Sequence, residues 1–279
     1  GEFTVQWDSS PASGIAVDNS GNVYVTNPFG DHRVQKFSSN GTFLSTWGSQ
    51  GSGDGEFDQP YGIAVDNSGN VYVTDSGNHR IQKFTSDGIF ISKWGSYGSG
   101  DGEFDQPYGI AVDNSGNVYV TDSPNGNGRL QKFTSNGMFI TKWGEGWGDP
   151  FAWPRGIAID GNGNVYVADA YFNCVYKYTA DGEFITQIGD PGTDQGQLSG
   201  PNDVCVGPDG RVYVSDTASN RIQVFSQEGP PVSDTSKAII VAGGGPYAGN
   251  NLWDATEMCA NYAYRALIYQ GYTKETIYY

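Results

Sequence analysis

Between Glu145 and Cys174 the chain gathers side chains suited to recognition: Trp147, Phe151, Trp153, Tyr171 and Phe172, with Arg155 among them. Large rigid rings bury area at low entropic cost and arginine adds a forked, permanent charge, the combination used by protein hot spots and sugar-binding clefts. Phe151 or Trp153 taken alone reads rather as a ring packed between structural units, whereas the group as a whole reads as a binding site. Asp169 belongs to the same region. Elsewhere an aspartate is followed by an arginine, as in Asp75 and Arg80, Asp122 and Arg129, and Asp216 and Arg221, but Cys174 takes the arginine's place after Asp169. A partly buried carboxylate without its cation needs another cation or a place facing water and a ligand, so Arg155 is expected either to pair with Asp169 or to flank one cleft with it.

The residues that could support other chemistry are few. His32 and His79 both sit in an Asp/Asn-His-Arg turn and read as part of the repeat's own structure. Cys174, Cys205 and Cys259 suggest no disulfide framework and fit no zinc spacing. Cys205, between Val204 and Val206, reads as a small buried hydrophobe. The Asp-Asn-Ser-Gly-Asn turns at Asp18, Asp66 and Asp113 offer one carboxylate each and read as hairpin turns. The acidic loops carrying Asp54, Glu56 and Asp58, and Asp101, Glu103 and Asp105, are better candidates for a weak Ca²⁺ site, and no other cofactor is expected.

The elements that position these residues follow from a repeat. The string GSGDGEFDQPYGIAVDNSGNVYVTDS runs from Gly51 to Ser76 and again from Gly98 to Ser123, within a unit of about 47 residues that occurs five times. Each unit alternates β-branched and aromatic residues with Asn-Gly and Asp-Gly turn signals, as four short antiparallel strands require. In the second unit these are Gly62–Asp66 (strand a), Val71–Asp75 (b), Arg80–Phe84 (c) and Ile89–Trp94 (d). The period predicts an all-β fold, a β-propeller of four-stranded blades. The b–c loops and the d–a connections then emerge on one face, which varies from blade to blade. Its mouth carries Ser13, Tyr61, Tyr108, Arg155 and Asn202, just ahead of each strand a.

Pro60-Tyr-Gly-Ile-Ala-Val-Asp66, Gly69-Asn-Val-Tyr-Val-Thr-Asp75 and Asn78-His-Arg-Ile-Gln-Lys-Phe84 resemble the three signature stretches of NHL repeats, and the resemblance extends from residue 1 to about 228. It implies a propeller whose relatives mostly bind macromolecules, some being lyases or lactonases, and most having six blades. Five blades are visible here. Gly1–Trp7 matches a strand d and the fifth unit stops after Arg221–Phe225, so the N-terminal strand is expected to close the ring by completing the last blade. An upstream unit would make six.

Thirty-one acidic against fifteen basic residues give a net charge of −16, which repels phosphate backbones and argues against a nucleic-acid partner. No apolar run is long enough to span a membrane. A chain beginning at Gly1 leaves room for a removed signal peptide, an extracytoplasmic location is favoured, and a monomer is expected.

Residues 229–236 read as a linker. Lys237–Gly243 reads as a buried strand, the stretch from Asn251 to Gly271 as a helix with Leu252, Ala255, Cys259, Tyr262, Ala266 and Leu267 on its apolar stripe, and Glu275–Tyr279 as the start of another strand. This β-α-β segment resembles the opening of legumain-type, caspase-like cysteine peptidases: a strand ending Val-Ala-Gly, the helix with Cys259 and Ala260, and Gly271-Tyr-x-x-Glu-x-Ile277. In that family the catalytic His and Cys follow later strands, so residues 237–279 would carry no peptidase activity of their own.

The sequence therefore points to a non-catalytic propeller that binds a protein, peptide or glycan through Tyr61, Tyr108, Trp147, Phe151, Trp153, Arg155, Asp169, Tyr171, Phe172 and Asn202. The alternatives are a targeting or substrate-presenting module of a caspase-like peptidase and, as a minor reading, a propeller lactonase or lyase.

Overall fold

The computed structural model describes residues 12–123, 128–144 and 151–226, together with the backbone of two short strands at 238–239 and 277–278. The repeat forms five successive antiparallel sheets. Blade one comprises Ile15–Val17, Val23–Asn27, Arg33–Phe37 and Phe43–Trp47, and blade two Pro60–Val65, Val71–Asp75, Arg80–Phe84 and Phe90–Trp94. Pro107–Val112, Val118–Asp122, Arg129–Phe133 and Phe139–Trp143 form blade three. Blade four is Pro154–Ile159, Val165–Asp169, Cys174–Tyr178 and Phe184–Ile188. The fifth has Pro201–Val206, Val212–Asp216 and Arg221–Phe225. Its expected completion by Gly1–Trp7 lies outside the described residues. So do Trp147 and the proposed helix, although Ala238–Ile239 and Ile277–Tyr278 pair in parallel. No helix among the described residues is long and apolar enough to cross a membrane.

Strand b of blade two, Val-Tyr-Val-Thr-Asp, is buried at every position because a neighbouring sheet covers each face, while strand d alternates at the rim. The core therefore lies between blades. One cluster joins Tyr24 and Val34 of blade one to Phe57, Ile63, Val71, Val73 and Phe84 of the second blade, and the next two junctions repeat it. Each such buried side chain contributes roughly 1.5–3 kcal/mol relative to exposure.

Polar latches fix the spacing. Thr26 Oγ1 donates to Tyr61 O of the next blade (2.6 Å), as do Thr74 to Tyr108 O (2.9 Å) and Thr121 to Arg155 O (2.7 Å). Lys36, Lys83 and Lys132 lie 5.0–5.2 Å above the Tyr24, Tyr72 and Tyr119 rings and donate to carbonyls in the following blade's c–d turn. Trp47 packs on the same turn at Gly88. A Cβ there would sit 2.6 Å from the indole, and φ is +82°, so both space and conformation call for glycine.

The a–b turns are hairpins held by their own aspartate. Asp66 accepts from Ser68 N, Asn70 N, Asn70 Nδ2 and Tyr72 OH. Burial alone would raise its pKa, but these bonds together outweigh burial and hold it below the ordinary value.

The expected aspartate–arginine pair forms in three blades. Arg80 Nε meets Asp75 at 2.7 Å, Arg129 meets Asp122 at 3.0 Å and Arg221 meets Asp216 at 2.7 Å. All three carboxylates are fully buried. Each guanidinium also caps carbonyls of the preceding d–a loop, Arg80 those of Ser52, Gly53 and Glu56. The loop acids do not converge: Asp54 reaches Lys93, and Glu56 folds back onto Gly53 N.

Cys205 differs from expectation. It is exposed, as are Ile222 and Val224, because no described blade covers that face of blade five. Cross-strand register places Cys205, Tyr213 and Val224 on one face, where alternation fixed the direction of the side chain but not its cover. Cys174 is buried, which pushes its thiol up to about 12.

Arg129→Ala should lower unfolding free energy by about 3–5 kcal/mol, the cost of stranding a buried carboxylate. Arg33→Ala, whose pair with Asp31 is open to water, should cost under about 1 kcal/mol. Urea titrations compare the two, and equal losses would show that burial of the pair is not what matters. In native protein, iodoacetamide at mildly alkaline pH should modify Cys205 and spare Cys174 until denaturant is added. Rapid native alkylation of Cys174, seen by peptide mapping, would contradict its placement.

Candidate functional site

The residue just ahead of each strand-a glycine occupies the same place in successive blades, and its side chain meets the corresponding one next door. Tyr61 and Tyr108 stack with centroids 4.9 Å apart and planes at 24°. The Arg155 guanidinium lies 5.7 Å from the Tyr108 ring centre, and Arg155 Nη1 donates to Asn202 Oδ1 at 2.6 Å. Phe29 meets Tyr61 edge-on at 6.1 Å at the other end. The threonine latches hold the Tyr61, Tyr108 and Arg155 carbonyls, so this ladder stands on fixed backbone. Burial, Tyr108 and the opposing effect of Arg155 leave the Tyr61 hydroxyl with a raised pKa.

Beside the ladder stands an aromatic wall from blade four. Trp153 is 47% exposed, Tyr171 61% and Phe172 40%. Trp153 meets Tyr171 edge-on at 6.1 Å, and Tyr171 meets Phe172 at 5.2 Å. These rings are held out by Asp169 beneath them. Its fully buried carboxylate accepts from Ala152 N (2.8 Å), Trp153 N (3.3 Å), Tyr171 N (2.9 Å) and Phe172 N (3.0 Å), pinning both segments that carry the wall.

That arrangement corrects two expectations. Asp169 does not pair with Arg155: main-chain N–H groups replace the missing arginine, and its carboxylate anchors the surface from within. Phe151 is also internal, 4% exposed, with its ring 5.6 Å from both Tyr176 and Tyr178. It is the counterpart of the buried Phe57 and Phe104, and here the phenylalanine packs where other blades place arginine and glutamine near it. Trp153, by contrast, faces outward. Trp147 lies outside the described residues.

Ladder and wall border an open groove of about 930 Å³, whose lining also includes Gln59, Gln106, Ser76, Ser123 and His79. Among the described residues no carboxylate lines it. Sequence reasoning missed the glutamines and His79 because they belong to the repeated Asp-Gln-Pro and Asn-His-Arg strings, which read as structural monotony. His79 and His32 hold left-handed backbone and latch onto the next blade. His79 Nδ1–H donates to Asp105 O, and His32 Nδ1 accepts from Gln59 N at 3.0 Å. Among the described residues no three His, Cys, Asp or Glu side chains converge as metal ligands would. The arrangement offers stacking faces, one guanidinium and neutral hydrogen-bonding groups.

Comparisons agree with this architecture. A chain of the nidogen/laminin complex superposes with TM-score 0.62 at 20% identity, covering 78% of this chain and 76% of that one. A catalytically inactive virginiamycin B lyase from Staphylococcus aureus, solved with quinupristin, gives 0.59 at 18% identity over 82% and 74% of the two chains. A Bacteroides caccae protein of unknown function gives 0.56 at 15% over 74% and 70%. At such identities the likeness is one of fold. No curated protein matches the sequence. The NHL-repeat model matches residues 12–37, 57–84, 104–133, 151–178 and 198–225, one stretch in every blade, and the chain thus belongs to the NHL-repeat family.

Proposed function

We propose that the propeller is a non-catalytic scaffold that binds a protein, peptide or glycan through the groove between the Tyr61–Tyr108–Arg155 ladder and the Trp153–Tyr171–Phe172 wall. The observation that carries this reading is the exposed three-ring wall, held rigid from below by Asp169. Backbone fixed before binding loses little entropy on contact. The engagement of both histidines in blade-to-blade latches favours binding over lyase chemistry, and a binding role accords with the nidogen/laminin likeness in fold. A second reading, a targeting or substrate-presenting module of a caspase-like peptidase, draws only on the resemblance of residues 237–279 and on the parallel pairing of their outer strands.

A combined glycan and peptide array should yield a ligand whose affinity falls at least about tenfold with Trp153→Ala or Arg155→Ala, as loss of a hot-spot side chain predicts. The urea midpoints of both variants should stay at the wild-type value. An unchanged affinity in both would place the binding surface elsewhere.

A further inference from the structure

Every other arginine among the described residues pairs with an aspartate: Arg33 with Asp31, Arg80 with Asp75, Arg129 with Asp122, Arg211 with Asp209 and Arg221 with Asp216. Arg155 instead has the neutral Asn202 amide oxygen and the face of Tyr108. A guanidinium carries five N–H donors and Asn202 accepts from one, leaving a fork that matches a carboxylate. The ring beneath shields one side from water, which strengthens a charged contact made on the other. In a chain of net charge −16, no acid among the described residues lines the groove to compete for Arg155.

We propose that the groove takes a peptide segment of a net-basic protein partner, with one carboxylate of that segment seated on Arg155 and a neighbouring apolar side chain lying against Trp153, Tyr171 and Phe172. This rests on the binding reading above and gives it a partner class. Charge complementarity works at two ranges. The overall negative field attracts and steers a basic partner, whereas it repels a polyanionic glycan. At contact range Arg155, the one guanidinium among the described residues that line the groove, selects one acidic group and so fixes register. The Gln59 and Gln106 side-chain amides offer a donor and an acceptor each to an extended peptide backbone, whereas the Ser76 and Ser123 hydroxyls already donate to Pro107 O and Pro154 O.

The test is selection of a phage-displayed random 12-residue peptide library on the whole chain at physiological salt, beside a glycan array that includes sulfated and carboxylated sugars. Enriched peptides should be net basic and share one Asp or Glu next to an aromatic or aliphatic residue. Replacing that acid with its amide isostere should weaken binding of the synthetic peptide at least about tenfold to wild type, the loss expected of a charge-assisted bidentate contact, and hardly at all to Arg155→Gln. Should Arg155→Gln fail to fold, the Arg155 Nε–H resonance of wild-type protein decides: it should move with the acidic peptide and stay with the amide one. Peptides without a recurring acid, or an acid whose loss costs as much in Arg155→Gln, would overturn the carboxylate contact while leaving the binding face intact. Binding of glycans alone, abolished by Trp153→Ala, would overturn the peptide partner and keep the face. If neither library yields a ligand sensitive to Trp153→Ala, both the proposal and the binding reading fall.

Discussion

The buried aspartate at the end of strand b is the constraint on which the variable face depends. A carboxylate removed from water must be surrounded by donors or it destabilises the fold by several kcal/mol. In this chain those donors come from two loops at once. Asp75 accepts from Asp58 N in the d–a connection and from Asn78 in the b–c loop, as well as from Arg80 and Gln82. One side chain thereby fixes the relative position of the two segments that make up the face, and the guanidinium extends the grip to the loop carbonyls. Burial pushes the Asp75 and Asp122 carboxyls above their ordinary pKa, with the arginine and the hydrogen bonds opposing it.

In blade four the same device is altered. Cys174 and Tyr176 stand where blades two, three and five have arginine and glutamine, and the space fills with the apolar contacts of Phe151, Tyr176 and Tyr178. The carboxylate is kept, and it turns to the amides of Ala152, Trp153, Tyr171 and Phe172. A charge-assisted bond to a main-chain N–H contributes about 1.5–3 kcal/mol, so four of them hold two short loops firmly. Those loops then present large rings outward, where a softer loop would let them collapse onto the core. The same substitution leaves the sector without its usual aspartate–arginine pair, and Arg155 enters from the ladder with no carboxylate partner among the described residues.

Much of this was legible in the residues. The 47-residue spacing of Tyr61, Tyr108, Arg155 and Asn202 placed one side chain at the same point of successive blades, and a ladder is the geometric consequence. The aspartate–arginine pairs followed from hairpin geometry. The partner of Asp169 did not, because matching side chain to side chain leaves out main-chain N–H groups, which satisfy a carboxylate equally well. Phe151 taken alone already read as packed between units, and aligning it with Phe57 and Phe104 would have kept it apart from its exposed neighbours. Cys205 was beyond such reasoning, since alternation gives the face a side chain points to and only the assembly determines whether that face is covered.

The proposed recognition surface is the groove between the Tyr61–Tyr108–Arg155 ladder and the blade-four wall, on the b–c and d–a face. The most direct measurement is amide and side-chain NMR of ¹⁵N-labelled protein titrated with a peptide or glycan found to bind it. Perturbations should concentrate at the Trp153 indole N–H, the Arg155 Nε–H and the amides of Tyr171 and Phe172. Perturbations centred instead on the Asn-Ser-Gly-Asn and Ser-Asp-Gly turns of the opposite face would contradict that placement.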